Sequence, residues 1–371
     1  MLFLKHLEIR HINKIHMHRE PKKVTVKDIV SGDSKESREA LDRFESELQK
    51  EMVGLRAIQE RVAEELKGGE GVFVVDSTLD NITGRLLGAA TERFSGHENL
   101  SRLADIVFNA LYGGKIPESY KEIIAGWTGL DPERLTGIDI RQPGSSQEFG
   151  ADARAVIFSG SPANISRIGQ SKELRPGITH DQVYERSAGV WSEAIRQGLP
   201  AFGICYGHQM MAAYSGGTVA EVSGRAQLGP STQEFGVGSD EFLSLLGITD
   251  NPQEFAGRIS AFRVDEVTQV SDDFASLVFA STDFDSSMIY GLLHNPQGTG
   301  ADPARIDQIL KEGAAAGFSL QGHPELRRGY RQLIEFGVGK KLEDIVLLHE
   351  DATKETSASM LQMMSAFFTH K

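Results

Sequence analysis

The sequence predicts an α/β fold in which helices cover both faces of an open, mostly parallel sheet, with a helical extension at the N-terminus. Short apolar runs alternate with segments of helical periodicity from residue 71 onward. An alternation of that kind is typical of parallel strands joined by helices. Several of the runs end in turns of glycine, serine, proline or cysteine. Because such sheets bind ligands at the carboxyl ends of their strands, we expect the functional residues there.

The individual elements follow from the apolar pattern and from the turns that bound it. Helices are predicted at residues 181–196 and 357–368, and a third begins near Gln209, directly after a buried strand. Strands are predicted at short apolar runs that end in glycine or polar turns. These runs lie at residues 72–76, 137–141, 155–159, 199–204, 258–264, 277–281 and 287–292.

Residues 36–66 predict one long amphipathic helix, because the segment lacks proline and is rich in helix-forming residues. Its apolar stripe either packs on the rest of the chain or makes a coiled-coil contact that would build a homo-oligomer. Packing within the chain is favoured, since single packed helices outnumber coiled coils. The stripe consists of Leu41, Phe44, Leu48, Leu55, Val62 and Leu66.

A glycine-rich segment at residues 68–71 ends this helix and predicts a domain boundary. We therefore expect an N-terminal extension at residues 1–70 and a second domain at residues 71–371. A long, mostly helical insertion is predicted at about residues 77–136, after the first strand. Insertions of this kind tend to cover a site or to build an interface.

Composition excludes several classes of function. The net charge of −13 and the pI near 5.4 argue against nucleic acid as a partner. No apolar run approaches the roughly 20 residues of a membrane span, and the N-terminus turns charged too early for a secretory signal peptide. A single cysteine suits a reducing cytoplasm, which is the predicted location. Histidines cluster near the N-terminus without a complete ligand set, so no metal site is predicted; they are His6, His11, His16 and His18.

The only cysteine, Cys205, lies between Gly203 and Gly207, immediately after an apolar run. A nucleophile flanked by glycines at this spacing is typical of a sharp turn from a strand into a helix, which exposes the central side chain. The N-terminus of the following helix favours thiolate over thiol. Cys205 is therefore the candidate nucleophile, and a buried cysteine that only packs is the alternative.

Two further segments supply the groups that a cysteine nucleophile needs. His323 follows a strand-like run that Pro324 ends, so it is the candidate base, and Glu325 can orient its ring. The strand at 155–159 runs into a Gly/Ser/Pro turn whose backbone can offer N–H groups. The N–H groups of Gly160 and Tyr206 are the candidate donors to a developing oxyanion.

These clusters together resemble the class I, triad-type glutamine amidotransferase family over roughly residues 71–371. The nucleophile motif Gly-x-Cys-x-Gly-x-Gln is complete, since Gln209 follows Gly207 at the expected distance. The motif His-Pro-Glu is present, and the segment 159–162 resembles the family's oxyanion loop. The resemblance implies a flavodoxin-like fold, no cofactor, and glutamine or a γ-glutamyl compound as substrate. It also implies that Gln209 and Gly229, in a loop at residues 224–229, help to bind that substrate.

The resemblance implies that Cys205, His323 and Glu325 hydrolyse a glutamine side-chain amide through a γ-glutamyl thioester. Two departures from the family's pattern leave the substrate and the coupling to a partner open: Arg263 and Gly322 replace the usual histidine and aromatic residue. No phosphate-binding loop is visible, so the ammonia goes to a separate synthase or the chain is a free-standing hydrolase. A γ-glutamyl peptide hydrolase and a non-catalytic interaction protein are the alternative interpretations.

Overall fold

The chain folds around a seven-stranded sheet whose strands coincide with apolar runs of the sequence. The computed structural model describes residues 24–30, 34–78, 88–89, 92, 98–142, 149–222, 227–235, 257–270, 274–277, 279–281, 289, 291–295, 317–326, 330–337, 341, 345–348 and 357–369. The helices are α1 (Val26–Val30), α2 (Lys35–Glu65), α3 (Glu98–Tyr112), α4 (Tyr120–Thr128), α5 (His180–Arg196), α6 (Tyr206–Tyr214), α7 (Tyr330–Gly337) and α8 (Ser357–Thr369). The strands are β1 (Val24–Thr25), β2 (Val72–Asp76), β3 (Thr136–Asp139), β4 (Ala155–Phe158), β5 (Glu173–Arg175), β6 (Ile178–Thr179), β7 (Ala201–Ile204), β8 (Thr218–Glu221), β9 (Gln227–Phe235), β10 (Gly257–Arg263), β11 (Asp265–Gln269), β12 (Phe274–Leu277), β13 (Phe279–Ser281), β14 (Gly291–His294), β15 (Gly317–Leu320) and β16 (Val346–Leu348).

The central sheet is mostly parallel, as the sequence predicts. Its strand order is β12-β14-β15-β7-β4-β2-β3. The five strands from β15 to β3 run parallel to one another. Strand β14 is antiparallel to both of its neighbours, β12 and β15. An antiparallel edge on a parallel sheet is common in folds of this class.

Helices pack on both faces of this sheet, which confirms the predicted architecture. Side chains alternate along β2, so Val72 and Val74 enter one apolar cluster while Phe73 and Val75 enter another. The first cluster also contains side chains of α2, α3, α4 and α8, and the second contains side chains of α5 and α6. Because both faces are covered, the central strands are mostly apolar and buried rather than alternating with polar residues.

The long N-terminal helix α2 packs within the chain, which was the favoured interpretation of its stripe. Ser34 caps the helix, since its side chain accepts a hydrogen bond from the N–H of Ser37 at 3.1 Å. A 3₁₀ turn at Lys67–Gly69 follows the helix, and Gly68 adopts a φ of 69° there. The division of the chain near residue 70 stays a prediction. The buried stripe comprises Leu41, Phe44, Leu48, Met52, Leu55 and Val62.

Some predicted bounds differ from the structure. The run 277–281 is two strands in different sheets: β12 pairs with β14 in the central sheet, whereas β13 pairs with β9 in a three-stranded sheet. Hydrophobicity marks such a run as extended but carries no information about its pairing partners. The predicted strand 287–292 overlaps β14 at residues 291–292 and otherwise lies mostly outside the described residues, while β14 continues to His294. Within the described residues, the predicted helical insertion contains α3 and α4, and no helix there is long and apolar enough to cross a membrane.

Candidate active site

Three neighbouring strands bring the candidate residues to one edge of the sheet. The strands β4, β7 and β15 are adjacent and parallel, so their carboxyl ends meet. Gly160 lies two residues beyond β4, Cys205 follows β7 directly, and His323 lies just beyond β15. The topology therefore brings Gly160 and His323 to the same edge of the sheet, although they lie far apart in the sequence.

Cys205 occupies a strained turn between β7 and α6. Its φ of 50° and ψ of −98° lie in a region that residues with a Cβ atom rarely adopt. Such a conformation costs about 1–3 kcal/mol and persists only where the surroundings enforce it. The N–H of Cys205 donates to the carbonyl oxygen of Leu320 in β15 at 2.8 Å, which anchors the turn to the sheet. Cys205 is the N-cap residue of α6, so it lies at the N-terminus of a helix, as the sequence predicts.

The flanking glycines are required by steric contact rather than by positive φ. A Cβ atom at Gly207 would lie 2.8 Å from Cβ of Phe158 and 2.9 Å from its carbonyl oxygen. A Cβ atom at Gly203 would lie 2.7 Å from Sδ of Met211 and 2.9 Å from the backbone carbon of Gly207. These approaches are shorter than side chains tolerate, so the small neighbours let α6 pack close against β4 and β7.

His323 and Glu325 form a buried hydrogen-bonded pair. Nδ1 of His323 lies 2.7 Å from Oε1 of Glu325, and the His323 ring also makes a hydrogen bond with the side chain of Cys205. The glutamate engages Nδ1 and thereby leaves Nε2 to face the thiol. The order of groups, thiol to imidazole to carboxylate, is the arrangement of a nucleophile, a base and an orienting acid.

The surroundings favour a charged imidazole. Burial alone lowers the pKa of His323, but the charges of Cys205 and Glu325 and the hydrogen bonds to both raise its pKa well above the usual value. A cationic ring beside the sulfur stabilises a thiolate, which is the nucleophilic form of cysteine.

A chain of side-chain amides connects the sulfur to the next sheet. Nε2 of Gln321 donates to Sγ of Cys205 at 3.5 Å, and its Oε1 accepts a bond from Nε2 of Gln209 at 3.1 Å. The same Gln209 nitrogen donates to the carbonyl oxygen of Asp265 at 2.7 Å. Gln209 thus lies at the site but its amide nitrogen is engaged within the protein. Its substrate-binding role stays a prediction.

Asp265 belongs to the segment that departs from the family's usual pattern, and it is almost fully buried. Its two carboxylate oxygens accept bonds from the N–H and the hydroxyl of Ser166, at 2.8 and 2.6 Å. Gly229 pairs with Ala261 in the three-stranded sheet that β9 forms with β10 and β13. The predicted role of Gly229 in substrate binding stays a prediction.

The loop after β4 closes over the candidate base. A Cβ atom at Gly160 would lie 2.7 Å from Cε1 of His323, so only glycine permits this approach. The hydroxyl of Ser159 accepts a bond from the N–H of Ser77 at 2.7 Å and donates to the carbonyl oxygen of Gly160 at 2.7 Å. These bonds fix the loop beside His323.

Tyr120 also reaches the site, although no pattern in the sequence predicts it. This residue is the first of α4, in the predicted insertion, and its hydroxyl donates to Oε1 of Glu325 at 2.7 Å. The N–H of Gly160 makes a hydrogen bond to the same hydroxyl. Gly160 can therefore serve an oxyanion only while sharing its N–H with Tyr120. No motif marks Tyr120, because the contact joins residues 205 positions apart.

No metal cluster is found among the residues that the structure describes. The histidines near the N-terminus, His6, His11, His16 and His18, lie outside those residues. At the site itself, Cys205, His323 and Glu325 bring together a thiol, an imidazole and a carboxylate. Such a set suits covalent catalysis at a carbonyl carbon.

Comparison with known proteins agrees with this geometry. Residues 139–255 match the model of the family described as glutamine amidotransferase class-I. The match includes Gly160 and Cys205, while His323 and Glu325 lie beyond its end.

Curated relatives match over less than half of the chain. A glutamine-hydrolyzing GMP synthase of Thermobifida fusca (strain YX) is 30% identical over 169 residues, which cover 43% of this chain and 27% of the relative. A protein of the same name from Borreliella burgdorferi (strain N40) is 31% identical over 185 residues, covering 46% of this chain and 30% of the relative. The match thus spans less than a third of the length of these relatives.

Among solved structures, a glutamine amidotransferase from Thermotoga maritima is 15% identical, with a TM-score of 0.41. The alignment covers 67% of this chain and 88% of that one. The resemblance that the sequence motifs predict is confirmed by the family match. The matched residues 139–255 carry the strained cysteine turn, so this part of the chain is similar to the class-I glutamine amidotransferase family.

Proposed function

We propose that this chain hydrolyses the side-chain amide of glutamine, with Cys205 as nucleophile, His323 as acid and base, and Glu325 as the orienting carboxylate. The observation that carries the proposal is the geometry at Cys205. Its strained backbone presents the thiol at the end of β7, in hydrogen-bonding contact with a histidine that Glu325 holds at 2.7 Å. The class-I family match over the same turn supports this chemistry.

In the first half-reaction the Cys205 thiolate attacks the δ-carbon of the glutamine amide. The N–H groups of Gly160 and Tyr206 stabilise the oxyanion, and Nε2 of His323 donates its proton to the departing nitrogen. The C–N bond breaks, ammonia leaves, and a γ-glutamyl thioester remains on the sulfur.

In the second half-reaction His323, now neutral at Nε2, accepts a proton from water. The resulting hydroxide attacks the thioester carbon, the C–S bond breaks, and glutamate leaves. The Glu325 carboxylate stabilises the imidazolium, which donates its proton in the first half-reaction and forms again in the second, and it keeps the ring in one tautomer. The thiolate and the protonated ring are thereby restored for another turnover.

The fate of the ammonia is a further part of the proposal. The curated relatives are named as synthases that hydrolyse glutamine, and this chain matches less than a third of their length. We propose that a separate synthase accepts the ammonia.

A γ-glutamyl amide or peptide hydrolase is the second candidate function. The replacements Arg263 and Gly322 support it, because they depart from the family's usual pattern and leave the substrate open.

Release of glutamate and ammonia from glutamine tests the proposal, with γ-glutamyl peptides assayed in parallel. We expect turnover by the wild type, and a loss of at least ~10⁴-fold in Cys205→Ala, because removal of a nucleophile has an effect of that order. Turnover of γ-glutamyl peptides alone would favour the second candidate. Glutamine turnover that survives in Cys205→Ala would exclude the proposed nucleophile.

A further inference from the structure

The Glu325 carboxylate depends on the insertion helix for half of its hydrogen bonds. Its side chain is fully buried, and Oε1 accepts bonds from Nδ1 of His323 and from the hydroxyl of Tyr120, each at 2.7 Å. Oε2 is buried without a hydrogen-bond partner among the residues that the structure describes. A buried carboxylate that lost the tyrosine would keep one partner only, and such groups are costly to leave unpaired.

The direction of the tyrosine bond is fixed by chemistry. Burial raises the pKa of Tyr120 well above its usual value, and the charge of Glu325 raises it further, so the hydroxyl keeps its proton. An ionised carboxylate can only accept, and the phenol therefore donates to Glu325. Its oxygen remains an acceptor and takes the bond from the N–H of Gly160. One hydroxyl thus joins the orienting carboxylate to the loop that carries the oxyanion donor.

We propose that Tyr120 is a positioning residue of the active site, which holds Glu325 in line with His323 and ties it to the Gly160 loop. The inference rests on the proposed hydrolysis, since it assigns Glu325 its orienting role there. It makes helix α4 of the insertion a part of the catalytic machinery rather than a decoration. Tyr120 acts through Glu325 and does not bind the substrate.

Tyr120 is itself held in place from both sides of α4. At the start of the helix, Ser119 accepts a bond from the N–H of Glu122 at 3.3 Å. At its end, Nε2 of Gln59 in α2 donates to the carbonyl oxygens of Gly126 and Trp127, at 2.9 and 3.0 Å. These carbonyls would otherwise lack partners at the helix terminus. The N-terminal helix α2 thereby fixes the position of α4.

Helix α8 supports the loop that contains Pro324, between His323 and Glu325. The indole nitrogen of Trp127 donates to the carbonyl oxygen of Ser357 at 3.2 Å, and the hydroxyl of Ser357 donates to the carbonyl oxygen of Pro324 at 2.6 Å. The loop between His323 and Glu325 is therefore bonded to α8 through its backbone and to α4 through a side chain. A group held at both ends loses little entropy when it orients the imidazole.

The variant Tyr120→Phe tests the inference, with Tyr184→Phe as the matched control. Both substitutions remove one phenol oxygen from a tyrosine that is at least half-buried, but Tyr184 lies on α5, away from Glu325. We expect kcat for glutamine to fall about 10- to 100-fold in Tyr120→Phe, the loss typical of a hydrogen bond to a charged group. KM should change little, and Tyr184→Phe should match the wild type.

Alkylation of Cys205 by iodoacetamide across pH gives a readout that needs no substrate. A poorly held Glu325 stabilises the imidazolium less, so the thiolate should form at a higher pH in Tyr120→Phe than in the wild type. In Glu325→Gln the same tyrosine substitution should cause no further shift, because the two side chains act as one unit. A purely structural role for the hydroxyl would not couple to Glu325 in this way.

The two readouts separate this inference from the proposed function. A wild type that releases no glutamate would contradict the proposed hydrolysis, while the alkylation profile would still decide the role of Tyr120. An identical alkylation midpoint in wild type and Tyr120→Phe overturns the inference, whatever the activity. So does a shift of equal size in the presence and absence of Glu325. If Tyr120→Phe melts at a much lower temperature, the same cycle is measured at a temperature at which all four proteins are folded by circular dichroism.

Discussion

At the scale of single residues, the backbone at Cys205 is the feature on which the site depends. Its positive φ turns the chain between β7 and α6, and the bond from its N–H to Leu320 holds the turn in place. Strain of about 1–3 kcal/mol is stored there and is offset by packing elsewhere. Gly203 and Gly207 make that packing possible, because each lies where a Cβ atom would collide with a neighbouring backbone or side chain.

The substitution Gly207→Ala should destabilise the chain and reduce glutamine hydrolysis together. Its Cβ atom would lie 2.8 Å from Cβ of Phe158, so α6 must shift away from β4. We expect a loss of about 1–3 kcal/mol in the free energy of unfolding, the usual effect of overpacking a core. Urea denaturation, followed by circular dichroism, measures the loss.

Gly189→Ala is the matched control, because nothing lies within 4 Å of a Cβ atom built at that position in α5. Alanine favours the helix over glycine, so this variant should be neutral or more stable by about 0.5–1 kcal/mol. Equal stability changes in the two variants would contradict the steric explanation.

The residue scale also marks the limit of sequence-based reasoning. The glycines around Cys205, and the triplet that contains His323 and Glu325, are legible because their spacing along the chain is characteristic. Tyr120 is not part of any such motif. Its contact with Glu325 depends on the tertiary fold, which brings α4 next to the loop that follows β15. The contact of Gln321 with Cys205 is not predictable for a related reason, because a glutamine before a glycine is common in loops.

At the scale of secondary-structure elements, a buried hydrogen-bonded chain joins α6, β15 and β14 behind the cysteine. Nε2 of His208 lies 3.1 Å from the carbonyl oxygen of Ile289, which can only accept, so Nε2 carries the proton. Nδ1 of His208 makes a hydrogen bond with the Ser319 hydroxyl at 2.9 Å. The same hydroxyl makes a hydrogen bond with Nε2 of His294 at 2.6 Å.

This chain predicts a pH dependence of stability. Burial lowers the pKa of His294 well below 6.5, and the neighbouring His208 lowers it further. Between the folded pKa and 6.5 the unfolded chain binds a proton that the folded chain does not, so stability falls as the pH falls through that window. The contribution of one such group is about 1.4 kcal/mol per pH unit.

Urea denaturation of the wild type and of His294→Gln, at pH values from about 5 to about 8, measures this pH dependence. The range brackets the usual pKa of a histidine. The glutamine amide can still donate to Ser319 but does not titrate. Below pH 6.5, we expect the free energy of unfolding to change less steeply with pH in the variant. The difference in slope should be about 1.4 kcal/mol per pH unit, which corresponds to one proton. Parallel curves would show that His294 does not charge on unfolding.

The elements themselves were predictable where one signal dominates. Strands β2, β4 and β7 are apolar, apart from Asp76 at the end of β2, because both faces of the sheet are covered, and α5 and α8 carry clear helical periodicity. Pairing was not predictable in the same way. The run 277–281 reads as one strand, yet β12 and β13 pair with different partners, since pairing depends on residues far away in the chain.

At the scale of the whole molecule, helices α2 and α8 both support the edge of the central sheet at which Cys205 and His323 lie. Helix α2 fixes α4 through Gln59, and Glu65 in α2 accepts a hydrogen bond from Ser365 in α8. Helix α8 in turn supports the loop at Pro324. The sequence predicts the amphipathic helix α2 and its packing within the chain, but the bonds that lead from it to the site depend on the tertiary fold.

The central claim is that glutamine acylates Cys205, and mass spectrometry of acid-quenched protein tests it most directly. The chain is mixed with glutamine, quenched within the first turnover and digested, and the peptide that contains Cys205 is weighed. We predict that this peptide gains one γ-glutamyl group, that hydroxylamine removes it as expected of a thioester, and that Cys205→Ala gains none. Release of glutamate from glutamine without any adduct on Cys205, at the same rate in Cys205→Ala, would contradict the account.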